Sequence, residues 1–483
     1  MIPDINWLTI YPELAVCITA GLVLIVDLLL PKQHKWWLGV ISFIGVLTAL
    51  IFVFRNFNVQ ADSFFGMVVN DTAGSFFKTI FCIGTILTIF ISISYQRREF
   101  PDIGEYYTLI LLSTFGMMVM ASSVDLITIF LGLEMMSIPL YVLAGIYRNR
   151  YRSREAALKY FLLGAFAAGF LLYGIAFMYG AFGTTNLTQI STILITGGKP
   201  YSLFYVGIGM ILILIGLAFK AGAVPFHMWI PDVYEGAPAP VTAFMSAGPK
   251  AAAIIAIIRI FVISIPVSDI DFTTIFWVLA AITMTWGNIL ALTQNNVKRM
   301  LAYSSIAHAG YIFIAIAVGG QDGISSAAFY LLVYTFMNIG AFAIIILFAE
   351  REEFYENISD YAGFGHQFPF AAIAMTIFLA SLGGIPGTAG FIGKFMIFKA
   401  AIENGFYWLA VIGVLNSVVS IYYYLRVVVS MYMKSPEPRL VDISISPSLM
   451  VAIVITLIGV VWIGIIPDNW LTLASSAARF VFH

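Results

Sequence analysis

The chain has 483 residues, of which 61% are hydrophobic and only 10% are charged, and its net charge is −1. Soluble domains carry about 25% charged residues, so this composition indicates a membrane protein and gives no sign of nucleic-acid binding. The two cysteines, Cys17 and Cys82, are too few for a zinc site or iron–sulfur cluster built on cysteine. We therefore expect no metal site or bound redox cofactor in this chain.

Apolar runs recur along the whole sequence. The N-terminal MIPDINW has no basic residue and carries Asp4, so no cleaved signal peptide is expected. Fourteen runs of the roughly 20 residues that a membrane-spanning helix needs follow, joined by short loops. They predict an all-α polytopic membrane protein of about 14 transmembrane helices. The runs begin near Ile10, Trp37, Gly74, Tyr107, Asp125, Glu155, Phe204, Pro240, Phe272, Met300, Ser325, Phe368, Gly405 and Pro447.

The basic residues between these runs test the count. With the N-terminus outside and the loops alternating, 14 fall on the inner side and six on the outer side, as the positive-inside rule requires. The inner set is Lys32, Lys35, Arg97, Arg98, Arg148, Arg150, Arg152, Arg154, Lys298, Arg299, Arg351, Arg426, Lys434 and Arg439, and the outer set is Arg55, Lys78, Lys199, Arg259, Lys399 and Arg479. Both termini are therefore predicted on the outer side. The cluster RNRYRSRE at 148–155 orients the chain most strongly, although it could also bind lipid headgroups or a partner subunit.

Ionisable side chains deep in a predicted span are costly and usually mark a transport pathway. Glu134, in DLITIFLGLEMMSIPLYVLAGI, and Lys250, in PVTAFMSAGPKAAAIIAIIRIF, lie too deep to reach the membrane surface. We favour a functional role for both over a purely structural one. Lys159 lies four residues after Glu155, so an i,i+4 ion pair or snorkelling explains it about as well as a functional role does.

Two histidines are weaker candidates for proton transfer. His308 lies near the middle of a span in LAYSSIAHAGYIFIAIA, and His227 lies in PFH, which could sit at the interface. A lone buried histidine is more often a hydrogen-bonded core residue than a proton carrier. The many aromatic residues are better explained by lipid contact and interface belts than by a cofactor site.

Two apolar segments are interrupted by glycine and proline beside a lysine. FKAGAVPFHMWIPD at 219–232 carries Lys220, and ASLGGIPGTAGFIGKFMIF at 380–398 carries Lys394. Proline removes an amide donor and glycine loosens the helix. Broken helices are tolerated at membrane depth only where the freed carbonyls are buried in protein or face water. Each break therefore predicts a hydrated site with a lysine placed at it.

The breaks fall in predicted spans seven and twelve, five helices apart. Because five is odd, units of spans 4–8 and 9–13 would be inverted relative to each other, as in transporters with inverted repeats. The single membrane domain then divides into an N-terminal three-helix segment at 1–106, a first repeat at 107–265, a second repeat at 266–434, and a C-terminal helix and tail at 435–483.

KAGAVPFHMWIPDVYEGAPAPVTAFMSAGPK resembles the core of the antiporter-like membrane subunits of respiratory complex I. DVYEGAPAPV and EMMSIPLYVLAGI are similar to the subunit N family rather than to the L, M or Mrp families, and LGGIPGTAGFIGKF and VKRMLAYSSIAHAGY agree. The resemblance covers nearly the whole chain. It implies a fourteen-helix proton channel in NADH:quinone oxidoreductase, located in a bacterial plasma membrane or an equivalent energy-coupling membrane.

The resemblance also implies partners and site residues. The partners are L/M-type and K/J/A/H-type membrane subunits, and NADH, FMN, iron–sulfur clusters and quinone belong to other subunits of the complex. The family's span-five glutamate matches Glu134, and its lysines of spans seven, eight and twelve match Lys220, Lys250 and Lys394. Lys159 matches a further family lysine near the start of span six. The same matching places His308 between the two half-channels.

Burial disfavours the charged form of a lysine and a nearby carboxylate favours it, so separating Lys220 from Glu134 would release the lysine proton toward Lys250 and onward. Two alternatives stay open. An Mrp-type cation/proton antiporter subunit would share the lysines and the broken helices but exchange Na⁺ for H⁺. A passive anchoring subunit would tolerate loss of the mid-span charges, which their cost argues against. The electron donor, the quinone and the proton stoichiometry do not follow from the sequence.

Overall fold

The structure is a computed structural model that describes residues 5–99, 103–196, 201–264, 272–348, 356–435 and 446–479. Asp4 and three predicted loop cations, Lys199, Arg351 and Arg439, lie outside the described residues, as does the predicted repeat boundary at 265/266. The side chains of Arg98 and Arg479 also lie outside the described part of the chain.

The first half of the chain is helical apart from one short hairpin. Its strands β1 (Ala61–Ser63) and β2 (Val68–Asn70) pair antiparallel in the loop between the second and third helices. The helices are α1 (Tyr11–Leu29), α2 (Trp36–Arg55), α3 (Thr72–Glu99), α4 (Glu105–Ser122), α5 (Leu126–Ala144), α6 (Tyr151–Phe182), α7 (Leu187–Thr196), α8 (Leu203–Ala221), α9 (Trp229–Gly236) and α10 (Ala239–Ile257).

A π-helical stretch, Ile258–Ser264, extends α10 and leads into the second half. The remaining helices are α11 (Phe272–Thr293), α12 (Val297–Val318), α13 (Gly320–Phe348), α14 (Phe364–Gln367), α15 (Pro369–Gly383), α16 (Ala389–Glu403), α17 (Tyr407–Met433), α18 (Pro447–Ile465) and α19 (Asp468–Arg479). Single turns of 3₁₀-helix occur at Trp7–Thr9, Lys32–His34 and Ile358–Tyr361.

A helix occupies each of the fourteen predicted runs. Within the described residues, twelve helices are long and apolar enough to cross a membrane. The two other runs are α4, with 18 residues, and the run from Phe368, which folds as two helices of 15 residues, α15 and α16. The membrane protein class is thereby established, and the count of fourteen spans stays a prediction. The hairpin, α7 and the amphipathic α19 were not predicted.

The most buried helices are α10, α12 and α13, and α13 is buried along its whole apolar segment. They carry Lys250 and His308 in the core of the chain. By contrast, α1, α2, α6 and α17 expose large apolar side chains along one face, as helices in contact with lipid do. The predicted deep charges therefore lie inside protein.

A backbone bridge of the same kind occurs twice. Asp125, the cap of α5, pairs with Asn186, which follows α6, and Asn296, the cap of α12, pairs with Asn357, which follows α13. Each cap side chain accepts N–H bonds from the first turn of its helix, as short polar caps do. The start of one helix is thus tied to the segment after the next helix in both halves.

When the ion pairs among the described residues are sorted by the predicted side of their basic residue, no carboxylate is shared between the two resulting groups. Lys159, which has no predicted side, shares Asp232 with Arg299 of the inner set. The first group is Lys35–Asp27, Arg150–Glu99, Arg152–Glu235, Arg152–Glu356, Lys159–Glu155, Lys159–Asp232, Lys298–Glu356, Arg299–Asp232 and Arg299–Glu235. The second group is Lys78–Glu13, Arg259–Asp71 and Lys399–Glu403. These groupings agree with loops that alternate between the two faces.

Candidate functional site

Both predicted helix breaks are present and are built in the same way. At the end of α8, Gly222 adopts φ +83°, and its N–H and that of the next residue both donate to the carbonyl of Ala218 at 2.9 Å. At the end of α15, Gly384 adopts φ +84°, and the corresponding two N–H groups donate to Ala380 at 3.0 Å. Only glycine adopts this left-handed conformation without strain. Each broken span therefore ends its first half on a glycine, and the next helix, α9 or α16, begins after the break.

Lys220 lies in the last turn of α8 and is 4% exposed. Its ammonium donates to the hydroxyl of Tyr141 at 3.1 Å and lies 4.9 Å from the centres of the Tyr141 and Tyr160 rings. Ring faces attract cations, so the tyrosines partly replace the water that a buried ammonium loses. Trp229, the first residue of α9, stacks on Tyr160 at 4.4 Å and packs against this cage across the break.

Glu134 is half-buried on α5, on the same helix as Tyr141. Its Oε1 atom is buried and accepts no hydrogen bond from the described residues. Its charge and that of Lys220 attract each other, yet the two side chains form no direct ion pair. The predicted pair is therefore a separated one, with the carboxylate left to interact through space.

Lys250, in the middle of α10, is 2% exposed. Its ammonium donates to the hydroxyl of Ser305 on α12 at 2.6 Å and also to the Ser305 carbonyl. The ring of Tyr334 on α13 lies 5.0 Å away. A direct hydrogen bond from Lys220 or its cage to Lys250 is not among the contacts of the described residues, so the two lysines occupy separate pockets.

His308 lies at the centre of a hydroxyl cluster and is 1% exposed. Its Nδ1 pairs with the hydroxyl of Tyr330 at 2.5 Å and its Nε2 with the hydroxyl of Tyr424 at 3.1 Å. Tyr424 in turn pairs with Ser304, the neighbour of the serine that binds Lys250. His308 therefore lies between the Lys250 pocket and α17, and its predicted place between two half-channels stays a prediction.

Lys394 lies on α16, after its break, and is 3% exposed. Its ammonium reaches back across the break to the carbonyl of Gly383, the last residue of α15, at 3.1 Å, and to the Ser417 hydroxyl at 2.8 Å. The ring of Tyr311 lies 4.7 Å from it and 5.8 Å from the His308 ring. Side chains therefore connect Lys394 to the histidine cluster.

The two remaining candidates lie apart from this row. The side chain of Lys159 is 41% exposed and pairs with Glu155 at 2.7 Å, as its spacing predicted, and with Asp232 on α9 at 2.6 Å. Asp232 also accepts from Arg299 at 3.0 Å. Burial opposes ionisation of Asp232, but the hydrogen bonds from Lys159 and Arg299 outweigh it and lower the pKa of this carboxyl. Lys159 thus belongs to a charged surface cluster rather than to the deep row.

His227 lies within the first break and is buried, and its Nδ1 atom makes no hydrogen bond to the described residues. Among those residues, no group of three or more His, Cys, Asp or Glu side chains is placed to hold a metal ion. What the site offers chemically is a row of titratable side chains, three lysines and a histidine, that tyrosine and serine hydroxyls solvate in place of water.

The sequence reasoning missed these hydroxyl partners. Ser304 and His308 are four residues apart on α12, and Tyr311 follows three residues later, so helical periodicity places them on one face. Tyr141 likewise follows Glu134 by seven residues on α5. This spacing could have identified the partners on these two helices, whereas the contributions of α13 and α17 depend on packing between distant segments.

Comparison with known proteins gives consistent matches. A family described as "NADH:quinone oxidoreductase/Mrp antiporter, TM" matches residues 123–420. The chain is 48% identical to a protein of Trichlorobacter lovleyi named NADH-quinone oxidoreductase subunit N, over 99% of this chain and 98% of that protein. It is 44% identical to NADH-quinone oxidoreductase subunit N 1 of Solibacter usitatus, over 97% of this chain and 96% of the relative.

Solved structures agree on the fold. A chain of respiratory complex I from Thermus thermophilus is similar with a TM-score of 0.82 and 32% identity, covering 96% of this chain and 99% of that one. A chain of the Mrp complex from Dietzia sp. has a TM-score of 0.86 at 21% identity, covering 99% of this chain and 97% of that one. The second likeness extends to the fold alone.

Proposed function

The chain belongs to the NADH-quinone oxidoreductase subunit N family, and from that membership we propose that it translocates protons across a respiratory membrane. It does so as a subunit without a redox centre of its own, within a multi-subunit NADH:quinone oxidoreductase. NADH, FMN, iron–sulfur clusters and quinone are bound by partner subunits, which include L/M-type and K/J/A/H-type membrane subunits. Electron transfer in those partners drives the proton movement.

The observation that carries this proposal is the row of buried lysines. Lys220, Lys250 and Lys394 are each at most 4% exposed, and none has a carboxylate within ion-pair distance among the described residues. An unpaired buried ammonium is costly, so a chain that only anchored its neighbours would gain nothing from three of them. A lysine can release its proton under these conditions, whereas an arginine cannot.

The proposed pathway begins at the separated Glu134–Lys220 pair. Strengthening their attraction holds Lys220 charged, and weakening it releases the proton toward Lys250, since an opposite charge favours the charged form. From Lys250 the Ser305 hydroxyl, the His308 cluster and Tyr311 lead to Lys394, the proposed exit. Water bridges the step from Lys220 to Lys250 in this pathway, because no direct hydrogen bond joins the two pockets among the described residues.

The proposed topology has fourteen spans, both termini on the outer side, and inverted repeats of spans 4–8 and 9–13. The duplicated cap bridges of α5 and α12 support the repeats, since they lie on opposite faces and join equivalent helices. The two matching helix breaks support them as well. The separation of ion pairs into two groups supports the alternation of the loops.

The experiment that tests the function uses inverted membrane vesicles containing the intact complex. Driven by NADH and quinone, they should acidify at a rate set by electron transfer, and replacing Na⁺ by K⁺ should change nothing. An Mrp-type antiporter would instead dissipate a preformed proton gradient when Na⁺ is added, without any donor. Only the shared fold favours that alternative. Sodium-dependent proton movement with no effect of NADH would overturn the proposal.

A further inference from the structure

Two arginines occupy equivalent places in the two halves of the chain. Arg259 donates to the carbonyl of Ala121, the next-to-last residue of α4, at 2.9 Å from Nε. Arg426 donates from Nη1 to the carbonyl of Leu292, the next-to-last residue of α11, at 2.8 Å. Arg259 comes nine residues after Lys250, and Arg426 comes nine residues after the serine that binds Lys394. Each arginine therefore joins the fifth helix of a proposed repeat to the end of the first helix of the same repeat by hydrogen bonds.

A cavity adjoins each arginine, at opposite faces of the molecule. The cavity at Arg259 measures about 410 Å³ and the cavity at Arg426 about 720 Å³. Each is bordered by the backbone bridge at the start of the second helix of its repeat, with Val124 and Thr188 in one, and Asn295 and Ser359 in the other. The two cavities therefore occupy equivalent positions in the two proposed repeats, and the residues that line them can be compared.

Their charges differ. In the first cavity the Asp71 carboxylate accepts two hydrogen bonds from Arg259, at 2.8 and 2.9 Å, and Asp62 adds a second carboxylate. In the second cavity Arg426 meets only neutral acceptors, two backbone carbonyls and the Asn295 amide, and Lys434 adds another positive charge. No carboxylate lines this cavity among the described residues.

The acidic side chain next to the lining residue Ser359 is already engaged. Asp360 accepts the backbone N–H of Asn357 at 2.9 Å and closes a capping box. Arg426 has five N–H donors and makes three hydrogen bonds, so two donors are left. Lys434 is exposed, and its ammonium makes no hydrogen bond or ion pair with the described residues. Within the part of the chain that the structure describes, the second cavity thus holds two cations with spare donors and no carboxylate.

One wall of this cavity is apolar and is exposed at the surface of the chain. Tyr422, Leu425 and Val429 lie on the outward face of α17, where they are 62%, 43% and 41% exposed. A molecule that bound here would meet positive charge at one end and hydrocarbon along its side. Basic pockets between helices on the cytoplasmic or matrix side of a membrane protein suit anionic lipid headgroups.

We propose that the cavity at Arg426 and Lys434 binds the phosphate of an anionic membrane phospholipid, in the leaflet on the side of the 148–155 cluster. The phosphate oxygens accept from Lys434, from the spare donors of Arg426 and from the Ser359 hydroxyl at the rim. One acyl chain lies along the apolar face of α17. Arginine and phosphate match in geometry as well as charge, and a volume of about 720 Å³ lies within the usual range of ligand sites.

The test uses the intact complex, purified and partly delipidated in a zwitterionic detergent. Phosphatidylglycerol should raise its thermal midpoint and remain bound in native mass spectrometry, whereas phosphatidylcholine should not. Lys434→Gln should weaken the apparent affinity about fivefold, the effect of one basic residue near an anionic surface. Arg426→Gln should weaken it further. Because Arg426 also donates hydrogen bonds to the end of α11, the Arg426 variant could fail to assemble. In that case the Lys434 variant alone tests the proposal.

Lys32→Gln is the matched control, because Lys32 is exposed, is predicted on the same face and lines neither of these two cavities. It should leave phosphatidylglycerol binding unchanged. The lipid assignment is overturned if inorganic phosphate alone reproduces the stabilisation, or if Lys434→Gln binds phosphatidylglycerol as the unsubstituted complex does. It is also overturned if Lys434→Gln retains its lipid but loses neighbouring membrane subunits, since the cavity would then be a protein interface.

Discussion

Replacing Lys220 by arginine separates the two properties of this residue that matter for proton transfer, its charge and its ability to lose a proton. The cage around the ammonium accepts either cation: the faces of Tyr141 and Tyr160 lie 4.9 Å away, and Tyr141 also supplies a hydroxyl acceptor. Each ring contact is worth about 0.5 to 2 kcal/mol for a lysine or an arginine. Lys220→Arg should therefore fold and assemble with its attraction to Glu134 retained.

The expected loss of activity follows from proton affinity. Before any effect of burial, the pKa of an arginine side chain lies at least about two pH units above that of a lysine. The neutral form is thus at least about a hundredfold rarer for arginine, and a step that passes through neutral residue 220 should slow by at least that factor. Lys220→Gln, which removes the charge as well, should also lose activity.

The assay compares three rates in the same membranes. NADH:quinone turnover and NADH-driven acidification should both fall by about a hundredfold in Lys220→Arg, whereas NADH oxidation by an artificial acceptor at the hydrophilic arm should survive. Lys159→Arg is the control, because an arginine on the surface can still pair with Glu155 and Asp232. Full quinone activity with a normal proton gradient in Lys220→Arg would show that Lys220 is a structural charge.

Four further outcomes are expected. Glu134→Gln should lower NADH:quinone turnover and Glu134→Asp should lower it less, because only the aspartate retains an opposite charge for the cage; equal rates would refute the electrostatic role. Lys394→Ala should reduce acidification while the complex still assembles on a native gel, and normal pumping would make Lys394 structural. Tyr151→Cys changes a site that is 72% exposed, and the new cysteine should react with impermeant maleimide only from the cytoplasmic or matrix side. Labelling only from outside would refute the predicted topology. Gly164→Ala should cost about 1 to 3 kcal/mol of stability and lower turnover, because the new Cβ would lie 2.2 Å from the tyrosine hydroxyl that binds Lys220, whereas Gly169→Ala on the same helix meets nothing within 4 Å and should be neutral.

The sequence was sufficient for features that depend on local chemistry. Runs of apolar residues located a helix at each of the fourteen positions, because a segment in lipid must satisfy its own backbone. Glycine and proline located the two helix breaks, where Gly222 and Gly384 adopt the left-handed conformation that ends a helix. The four-residue spacing of Lys159 from Glu155 predicted their ion pair.

Features that depend on packing between distant segments could not be predicted from the sequence. Lys250 binds Ser305, which is 55 residues away, and Lys394 binds Ser417 on the following helix. Nothing local in either lysine segment indicates these partners. The separation of Glu134 from Lys220 is also a property of how distant helices pack.

The two broken helices show why position along the chain is a poor guide to the site that a lysine occupies. Lys220 precedes its break and Lys394 follows its break, so the sequence presents them as different arrangements. In space both belong to the end of the first half-helix, because Lys220 lies in the last turn of α8 and the Lys394 ammonium contacts the last carbonyl of α15. A helix C-terminus carries partial negative charge. The fold therefore places a lysine at the end of a first half-helix twice, and either half-helix can contribute it.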